Sequence, residues 1–237
     1  MELWQGDLVS QIQSAENEES AFKKIEDEAL ALGFENAAYG LRLNLNITNQ
    51  KVVMMNNYSQ NWKRRYTDEN YISIDPVVKH GNKSLMPVVW SSNKITENKN
   101  FWEDAYSHNL KYGWSQASAD QVGRRGLLTL TRGHEPISEL ELKELQYRLT
   151  WLTQISHHCM SEIITTKKMP ETMITLTMRE KDVLRWTAAG KTSGETSTIM
   201  NITERTVNFH IANSMQKLNC INKTSATVRA AMLGLLD

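Results

Sequence analysis

The segment TERTVNFHIANSMQKL, residues 203–218, predicts an amphipathic helix. Its apolar residues Val207, Ile211, Met215 and Leu218 recur at steps of four, four and three, which marks one buried stripe. Thr203 is a good N-cap because its hydroxyl can accept hydrogen bonds from the first N–H groups of the helix. The opposite face carries Arg205, Asn208, Phe209, Ala212 and Gln216. Small and polar side chains on that face suit a helix that lies in a DNA groove.

A shorter amphipathic piece, residues 196–200, precedes this helix and is separated from it by Asn201-Ile202. Its helix begins beyond Gly190-Lys191-Thr192-Ser193, where exposed N–H groups and a lysine can hold a phosphate. The two pieces together predict a helix-turn-helix. Spacing alone leaves a second interpretation open, because any helical hairpin of a plain packing module produces a similar pattern.

Composition is typical of a globular protein with one large or two modest domains, at 237 residues, 40% hydrophobic and 23% charged. We find no apolar run long enough to cross a bilayer, and the first residues do not have the pattern of a secretory leader. Cys159 and Cys220 are the only cysteines and lie far apart. Two lone thiols favour a reducing cytoplasm over a disulfide.

Charge is unevenly distributed although the formal net charge is zero. From residue 173 onward there are eight Lys/Arg and five Asp/Glu, a charge of +3, which leaves 19 basic and 22 acidic residues, −3, in the remainder. A modestly basic module joined to a mildly acidic one is typical of a DNA reader with a separate sensor. Because +3 is small and a dimer doubles it, we expect dimers.

The first 165 residues mix helices with about five strands, too irregular for repeated βαβ units. Helices are predicted at residues 3–13, 18–32, 59–70, from 76, 98–109, and from the capping box Ser138-Glu-Leu-Glu141 to about 164; strands are predicted at 34–43, 51–57, 87–90, 114–119 and 126–132. The expected fold is α/β: an α-β-α sandwich around a mostly antiparallel five-stranded sheet. Domain 1–165 is followed by a linker at 166–175, which contains Pro170, and an all-α helix-turn-helix domain at 176–237.

Between residues 57 and 113 many side chains combine an apolar body with one hydrogen-bonding tip. Such side chains are good walls for a mostly apolar ligand with a few polar atoms, although they also fit an aromatic-rich core. Asp75 fits a core less well, because a buried carboxylate needs hydrogen-bond donors. One of its oxygens can cap the helix that starts at Pro76 while the other accepts a ligand N–H.

Both halves of the chain resemble one family. Leu176-Thr-Met-Arg-Glu180, Val183-Leu184, Ala188-Ala-Gly190-Lys191, Thr206-Val207 and Lys217-Leu218 resemble the DNA-binding domain of LuxR-type regulators. Asn57-Tyr58-x3-Trp62, Asp75-Pro76-Val77, Trp90 and Gly113 resemble the autoinducer-binding domain of LuxR-type quorum-sensing receptors, nearest the LasR and QscR branch. The resemblance implies a transcriptional regulator rather than an enzyme. Its ligand would be an N-acyl-homoserine lactone, with no further cofactor, and a homodimer would bind a two-fold-symmetric operator on double-stranded DNA in the cytoplasm, away from membranes.

The resemblance also implies roles for the first domain. Tyr58 would donate to the amide carbonyl of the ligand, Trp62 would donate to the lactone carbonyl, and Asp75 would accept the amide N–H. Trp90 would pack on the lactone ring, with Gly113 leaving room. The remaining positions concern the acyl chain: Thr129 would contact its carbonyls, and the tail would be lined by Tyr66, Val78, Phe101, Ala105 and Leu110. The stretch Ser115-Gln-Ala-Ser118 and the basic loop at 121–126 depart from the family pattern.

In the second domain, phosphate contacts are expected from Lys191, Thr206, Asn213, Lys217 and Lys223, and base contacts from Asn208, Phe209 and Ala212. Asn208 could bond an adenine edge with both ends of its amide. The expected dimer contact is the predicted helix from Asn222 to Leu236, with Val228, Met232 and Leu235 on one side.

Three other interpretations were weighed. His157-His158-Cys159 does not predict a metal site, because adjacent residues on a helix point in different directions. A regulator of the same architecture that responds to another small molecule, or to none, stays open. A lactone hydrolase with Asp75 as base is disfavoured, because the sequence supplies no nucleophile or metal beside it.

Overall fold

The computed structural model describes residues 3–44, 50–92, 98–120, 123–168 and 174–236, and the chain divides into two compact units. The first consists mainly of residues up to Ile163 and the second mainly of residues from Ile164 onward. The first contains helices α1 (Leu3–Gln13), α2 (Glu18–Ala31), α3 (Gln60–Asp68), α4 (Pro76–Lys83) and α5 (Lys99–Ser107), most of α6 (Glu139–Lys168), and strands β1 (Asn36–Asn44), β2 (Gln50–Asn56), β3 (Val88–Ser91), β4 (Tyr112–Ala119) and β5 (Arg125–Arg132). The second contains α7 (Met178–Ala188), α8 (Ser193–Met200), α9 (Glu204–Lys217) and α10 (Lys223–Met232).

The strands form one sheet in the order β2-β1-β5-β4-β3. The pairs β1–β5, β5–β4 and β4–β3 are antiparallel. Adjacent side chains of a strand point to opposite faces, and paired residues share a face. Ala38, Thr129 and Ser115 therefore lie in one row on one face of the sheet.

Helices cover both faces. On one face, α6 packs through His157, whose Nδ1 lies 2.8 Å from the hydroxyl of Tyr39, and through Gln154, which accepts a 2.7 Å hydrogen bond from Ser118. On the other face lies α4, because a Cβ added at Gly81 would contact Leu127 and Ala117. We call this second side, which also carries Ala38, Thr129 and Ser115, the pocket face. The expected α-β-α sandwich with its antiparallel sheet is confirmed.

Local signals explain where several helices begin and end. Asn17 accepts from the N–H of Ser20 and starts α2, and Gly33 follows its end at φ +86°. The capping box predicted before α6 forms, since the Ser138 hydroxyl accepts from the Glu141 N–H at 3.2 Å and the Glu141 carboxylate accepts from the Ser138 N–H at 3.3 Å. Thr203 accepts from the N–H of Thr206 and starts α9 as predicted.

Some helix boundaries differ from the predicted ones, whereas the domain and linker bounds stay a prediction. Helix α6 continues to Lys168, so residues 166–168 of the predicted linker are helical; polar Thr and Lys end an apolar pattern without ending a helix. Residues 169–173 of that linker lie outside the described residues. Helix α8 begins at Ser193 because Thr192 and Glu195 form a capping box there. Helix α10 ends at Met232, shortly before Gly234 at φ +65°.

The second unit packs around two apolar groups. Leu184, Leu218, Ala226 and Ala230 join α7, the end of α9 and α10, and Val183 packs with Val207 and Ile211. The predicted stripe of α9 therefore faces the core of the unit, with Val207 and Leu218 almost fully buried.

One buried ion pair connects the last strand to α6. The Arg132 guanidinium donates to both Glu141 oxygens at 2.7 Å and to the carbonyls of Glu135 and Pro136 at 2.9 and 3.0 Å. The Arg132 side chain is only 3% exposed. Hydrogen bonds from Arg132 hold the pKa of Glu141 below its ordinary value.

Replacing Glu141 by Gln should lower the free energy of unfolding at neutral pH by about 2 kcal/mol, because hydrogen bonds to a charged group are weakened. The folded-state pKa of Glu141 is lowered, so this stabilisation is complete above the ordinary value of 4.5 and is lost as the pH falls through the lowered one. Denaturant unfolding at several pH values should show the difference between wild type and variant shrinking in that acidic range. Glu144→Gln, an exposed change on the same helix, is the control; equal losses for both would contradict the prediction.

Candidate functional site

The pocket face of the sheet is covered by a layer of aromatic side chains. Trp62 lies at its centre, with ring centroids 5.7 Å from Tyr66, 5.9 Å from Tyr71 and 6.0 Å from Phe101. Trp90 joins the layer from β3, and its ring lies 5.2 Å from that of Trp102. Helices α3 and α5 supply most of these rings because their residues one turn apart share a face.

Small side chains lie on the sheet opposite this layer. By the strand register, the pocket face of β1, β5 and β4 carries Ala38, Gly40, Thr129, Gly113, Ser115 and Ala117. Large rings on the helices thus face small residues on the strands. This arrangement suits a mostly apolar ligand held by a few polar groups.

Asp75 is the buried charge of this site, with 8% of its surface exposed. Its Oδ1 caps α4 by accepting from the N–H groups of Val77 and Val78 at 2.8 and 3.4 Å, and its Oδ2 accepts from the Tyr66 hydroxyl at 2.9 Å. Burial raises the pKa of the Asp75 carboxyl, and the hydrogen bonds from Tyr66 and Val77 oppose that rise. One oxygen therefore caps α4 as predicted, while the acceptance of a ligand N–H by the other oxygen, which already has Tyr66 as a partner, stays a prediction.

Two further polar groups of the layer are positioned by partners on the sheet. The Trp90 indole N–H donates to the Ser115 hydroxyl at 3.0 Å. Burial is the main cause that raises the pKa of the Tyr58 hydroxyl, and the negative charge of the nearby Asp75 raises it further. A hydrogen bond with Thr131 opposes the rise. Tyr58 therefore keeps its proton near neutral pH and remains a hydrogen-bond donor. Ser115 and Thr131 were not among the predicted site residues; the register of the strands, not the sequence, reveals them.

The structure brings most of the predicted ligand residues together. One apolar cluster contains or packs against Tyr58, Trp62, Tyr66, Trp90, Phe101, Ala105 and Leu110. Val78 lies half-buried on α4, and Thr129 lies half-buried on the pocket face of β5. The individual contacts of these residues with a ligand stay predictions.

The structure adds to two of the expected roles. The hydroxyl of Tyr66, which was expected to line the acyl tail, is bound to Asp75, and the contact of Tyr66 with the tail stays a prediction. At Gly113, which was expected to leave room, a Cβ would overlap ring atoms of Trp90. Gly113 therefore makes room for the Trp90 indole, which is its direct neighbour in the β3–β4 pairing.

The second unit exposes one face of α9. Asn208, Phe209 and Ala212 are exposed there as predicted, and Phe209 has 60% of its surface accessible. Thr206 bonds to Thr203 through their hydroxyls at 2.8 Å, and Asn213 is half-buried.

The lysines that were predicted to contact phosphate lie in different surroundings. Lys191 precedes α8 and Lys223 is exposed at the first position of α10. Lys217, however, forms a 2.7 Å ion pair with Glu180, whose side chain is only 4% exposed. Burial raises the pKa of Glu180, but hydrogen bonds from Lys217 and the Thr177 N–H outweigh it and lower the pKa overall. Lys217 thus has a structural partner that the sequence did not indicate.

The predicted dimer face on α10 is only partly available. Val228 and Met232 are half-buried, whereas Leu235 packs against the apolar group around Leu184 and Leu218. Leu235 lies past the end of α10, so the helical spacing that placed it beside Val228 does not apply to it.

Comparison with known proteins identifies both units. Residues 17–160 match the family described as autoinducer binding domain, and residues 174–230 match the family described as bacterial regulatory proteins, luxR family. The chain belongs to the LuxR family. It is a quorum-sensing transcriptional regulator of this family, with its autoinducer-binding domain ahead of a DNA-binding helix-turn-helix domain.

Two of the relatives of this LuxR-family chain, AnoR and SdiA, match it over almost its whole length. The transcriptional activator protein AnoR of Acinetobacter nosocomialis is 48% identical over 238 residues, covering 100% of both chains. The crystal structure of Escherichia coli SdiA has a TM-score of 0.86 at 30% identity and covers 99% of this chain and 98% of its own. SdiA in complex with octanoyl-rac-glycerol gives 0.83 at 32% identity, with 98% and 95% coverage. The N-acylhomoserine lactone dependent factor CepR2 of Burkholderia cenocepacia matches 67% of this chain and 94% of its own, with a TM-score of 0.63 at 31% identity. Placement near the LasR and QscR branch is not tested by these relatives and stays a prediction.

Two other sequence signals concern the first unit of this LuxR-family chain. His157 and Cys159 are buried while His158 is exposed, so these three side chains diverge. Among the residues that the structure describes, no helix combines the length and apolar character that a bilayer crossing requires.

Replacing Gly113 by Ala should push the Trp90 indole off Ser115 and lower the free energy of unfolding by about 1–3 kcal/mol, because the site is overpacked. Gly40→Ala is the matched control, since a Cβ there lies 3.9 Å from Met54 and Gly40 is on the same face of the sheet. Thermal unfolding with tryptophan fluorescence would test this. If both variants behaved alike, Gly113 would not be needed for the position of Trp90.

Replacing Lys217 by Met should expose its structural role, because Met keeps an apolar stem but leaves the buried Glu180 without its cation. Hydrogen exchange of amides in α7 and α9 should become faster, with a loss of local stability of about 2 kcal/mol. Lys223→Met, on the exposed start of α10, should leave this exchange unchanged. A Lys217 that serves only to contact phosphate would also leave exchange unchanged, and the structural role would then be wrong.

Proposed function

We propose that this protein senses an N-acyl-homoserine lactone and couples its binding to transcription. The observation that carries the proposal is the Asp75 carboxylate, buried under the aromatic layer with Oδ1 capping α4 and Oδ2 turned to the Tyr66 hydroxyl. A carboxylate oxygen can accept more than one hydrogen bond. Oδ2 can therefore accept the amide N–H of an acyl-homoserine lactone in addition to the Tyr66 proton.

The other groups complement the same ligand. An acyl-homoserine lactone offers two carbonyl acceptors beside its N–H, and the Tyr58 hydroxyl and the Trp62 indole are two donors in the same cluster. Thr129 adds a hydroxyl from the pocket face of β5 for a further carbonyl of the acyl chain. CepR2, which shares this domain, is described as N-acylhomoserine lactone dependent and supports this ligand class.

The regulator acts as a homodimer on a two-fold-symmetric operator in the cytoplasm. The second domain carries a formal charge of only +3, and pairing two copies doubles the attraction to phosphates while matching two half-sites. It acts by binding rather than by catalysis, as expected of a relative of transcriptional activators.

A second ligand class deserves a test of its own. SdiA, a relative over the full length, has been solved with octanoyl-rac-glycerol, an acyl chain on a polyol rather than on a lactone amide. Such a ligand offers Asp75 hydroxyl groups, which can donate or accept a hydrogen bond, in place of an amide N–H, which can only donate. The two classes therefore make different demands on Asp75.

The melting temperature of the full-length protein should rise with one or more acyl-homoserine lactones from a panel of short to long chains. A ligand at one hundred times its dissociation constant adds about 2.7 kcal/mol, which corresponds to several degrees. Octanoyl glycerol is measured in parallel. A shift with the glycerol compound and with no lactone would overturn the lactone proposal and favour the second class.

Asp75→Asn sharpens the test, because Asn is also a good N-cap and keeps the start of α4. Its amide replaces the Oδ2 acceptor by a donor, so lactone affinity should fall by about 10- to 100-fold, the loss for leaving buried donors unpaired. Binding of octanoyl glycerol should change much less, because its hydroxyls can donate to the Asp75 carboxylate and can also accept from the amide that replaces it. Asp68→Asn, an exposed change on α3, controls for loss of charge; unchanged lactone affinity in Asp75→Asn would contradict the assigned role.

A further inference from the structure

The helix-turn-helix contains a side-chain bridge between its two helices. The hydroxyl of Ser193, the first residue of α8, donates to the Oδ1 atom of Asn208 on α9 at 2.8 Å. Asn208 is exposed on the face of α9 that also carries Phe209 and Ala212. A residue of the first helix therefore holds a base-reading candidate of the second.

Ser193 is not required to start its own helix. Thr192 is the N-cap of α8 and accepts from the N–H of Glu195 at 3.2 Å, while Glu195 accepts from the N–H of Thr192 at 2.8 Å. This capping box satisfies the helix start without Ser193. The Ser193 hydroxyl is thus available to Asn208, and removing it leaves the cap intact.

The bridge determines which end of the Asn208 amide is presented. Bidentate recognition of adenine uses both ends, since Oδ1 accepts from N6 and Nδ2 donates to N7. Oδ1 has two lone pairs and the Ser193 hydroxyl occupies one of them, whereas Nδ2 carries two N–H donors, so Asn208 offers a base more donor than acceptor capacity. In the major groove, guanine presents acceptors at O6 and N7, and thymine presents an acceptor at O4. Adenine presents an amino donor beside its N7 acceptor, and cytosine presents an amino donor alone.

We propose that Ser193 is a specificity-determining positioning residue: it holds the Asn208 amide so that Asn208 selects an acceptor edge, guanine or thymine, over adenine at one base pair of each half-site. This revises the expectation that Asn208 reads adenine with both ends. The inference rests on the DNA-binding role proposed above and adds a determinant to it. A merely structural bridge between α8 and α9 would affect stability and overall affinity, but not the choice of base.

The proposal is tested by selection from a library of random-sequence DNA duplexes. The selection uses the full-length protein with the acyl-homoserine lactone that raises its melting temperature most. The variants are Ser193→Ala, Asn208→Ala, the double variant and Ser193→Thr, which keeps the hydroxyl. Ser197→Ala is the matched control, because Ser197 also lies on α8 but its hydroxyl donates to the Gly194 carbonyl of the same helix. Enrichment of a two-fold-symmetric sequence by the wild-type chain reports on the proposed function by itself.

Asn208→Ala should lose discrimination at one base pair of each half-site by about threefold to tenfold, the contribution of a hydrogen bond. Ser193→Ala should shift the preference at that same base pair toward adenine, Ser193→Thr should restore guanine or thymine, and Ser197→Ala should match wild type. In the Asn208→Ala background, Ser193→Ala should have no further effect on base choice. An unchanged preference in Ser193→Ala, or a change at a different base pair, would overturn the proposal while leaving DNA binding established.

Discussion

A single buried carboxylate constrains the ligand-binding domain. Desolvation makes a buried charge costly unless hydrogen bonds compensate it, and Asp75 obtains them from three directions. Its Oδ1 fixes the first turn of α4, and its Oδ2 fixes Tyr66 on α3. Helices α3 and α4 are thereby held in relation to each other at the point where the aromatic layer meets the polar groups. A ligand N–H that reaches Asp75 meets an acceptor that is already oriented.

The DNA-binding domain uses the same principle at its surface. Glu180, buried at the start of α7, is compensated by Lys217 near the end of α9, and Ser193 on α8 bonds Asn208 on α9. Two polar contacts, one in its first half and one at its end, therefore hold the recognition helix in place in addition to its apolar stripe. Polar contacts specify orientation more narrowly than apolar packing does, because a hydrogen bond depends on both distance and angle.

Much of the fold could be predicted because its signals are local. Thr203, Asp75 and the pair Ser138 and Glu141 act as caps through residues no more than three positions away, and the periodicity of Val207 and Ile211 depends only on helix geometry. Signals failed where the local pattern was ambiguous. Thr165 to Lys168 are polar yet helical, and Leu235 lies beyond the helix whose spacing was applied to it.

The sequence by itself determined the family, the order of the elements, the antiparallel α-β-α class and the set of residues that form the aromatic layer. Only the tertiary structure decided what those residues touch: Tyr66 on Asp75, Trp90 over Gly113 and on Ser115, Lys217 on Glu180 and Ser193 on Asn208. The physical reason is separation along the chain. Caps and helical stripes act within one or two turns, whereas these contacts join residues 9 to 37 positions apart and depend on strand register and helix packing.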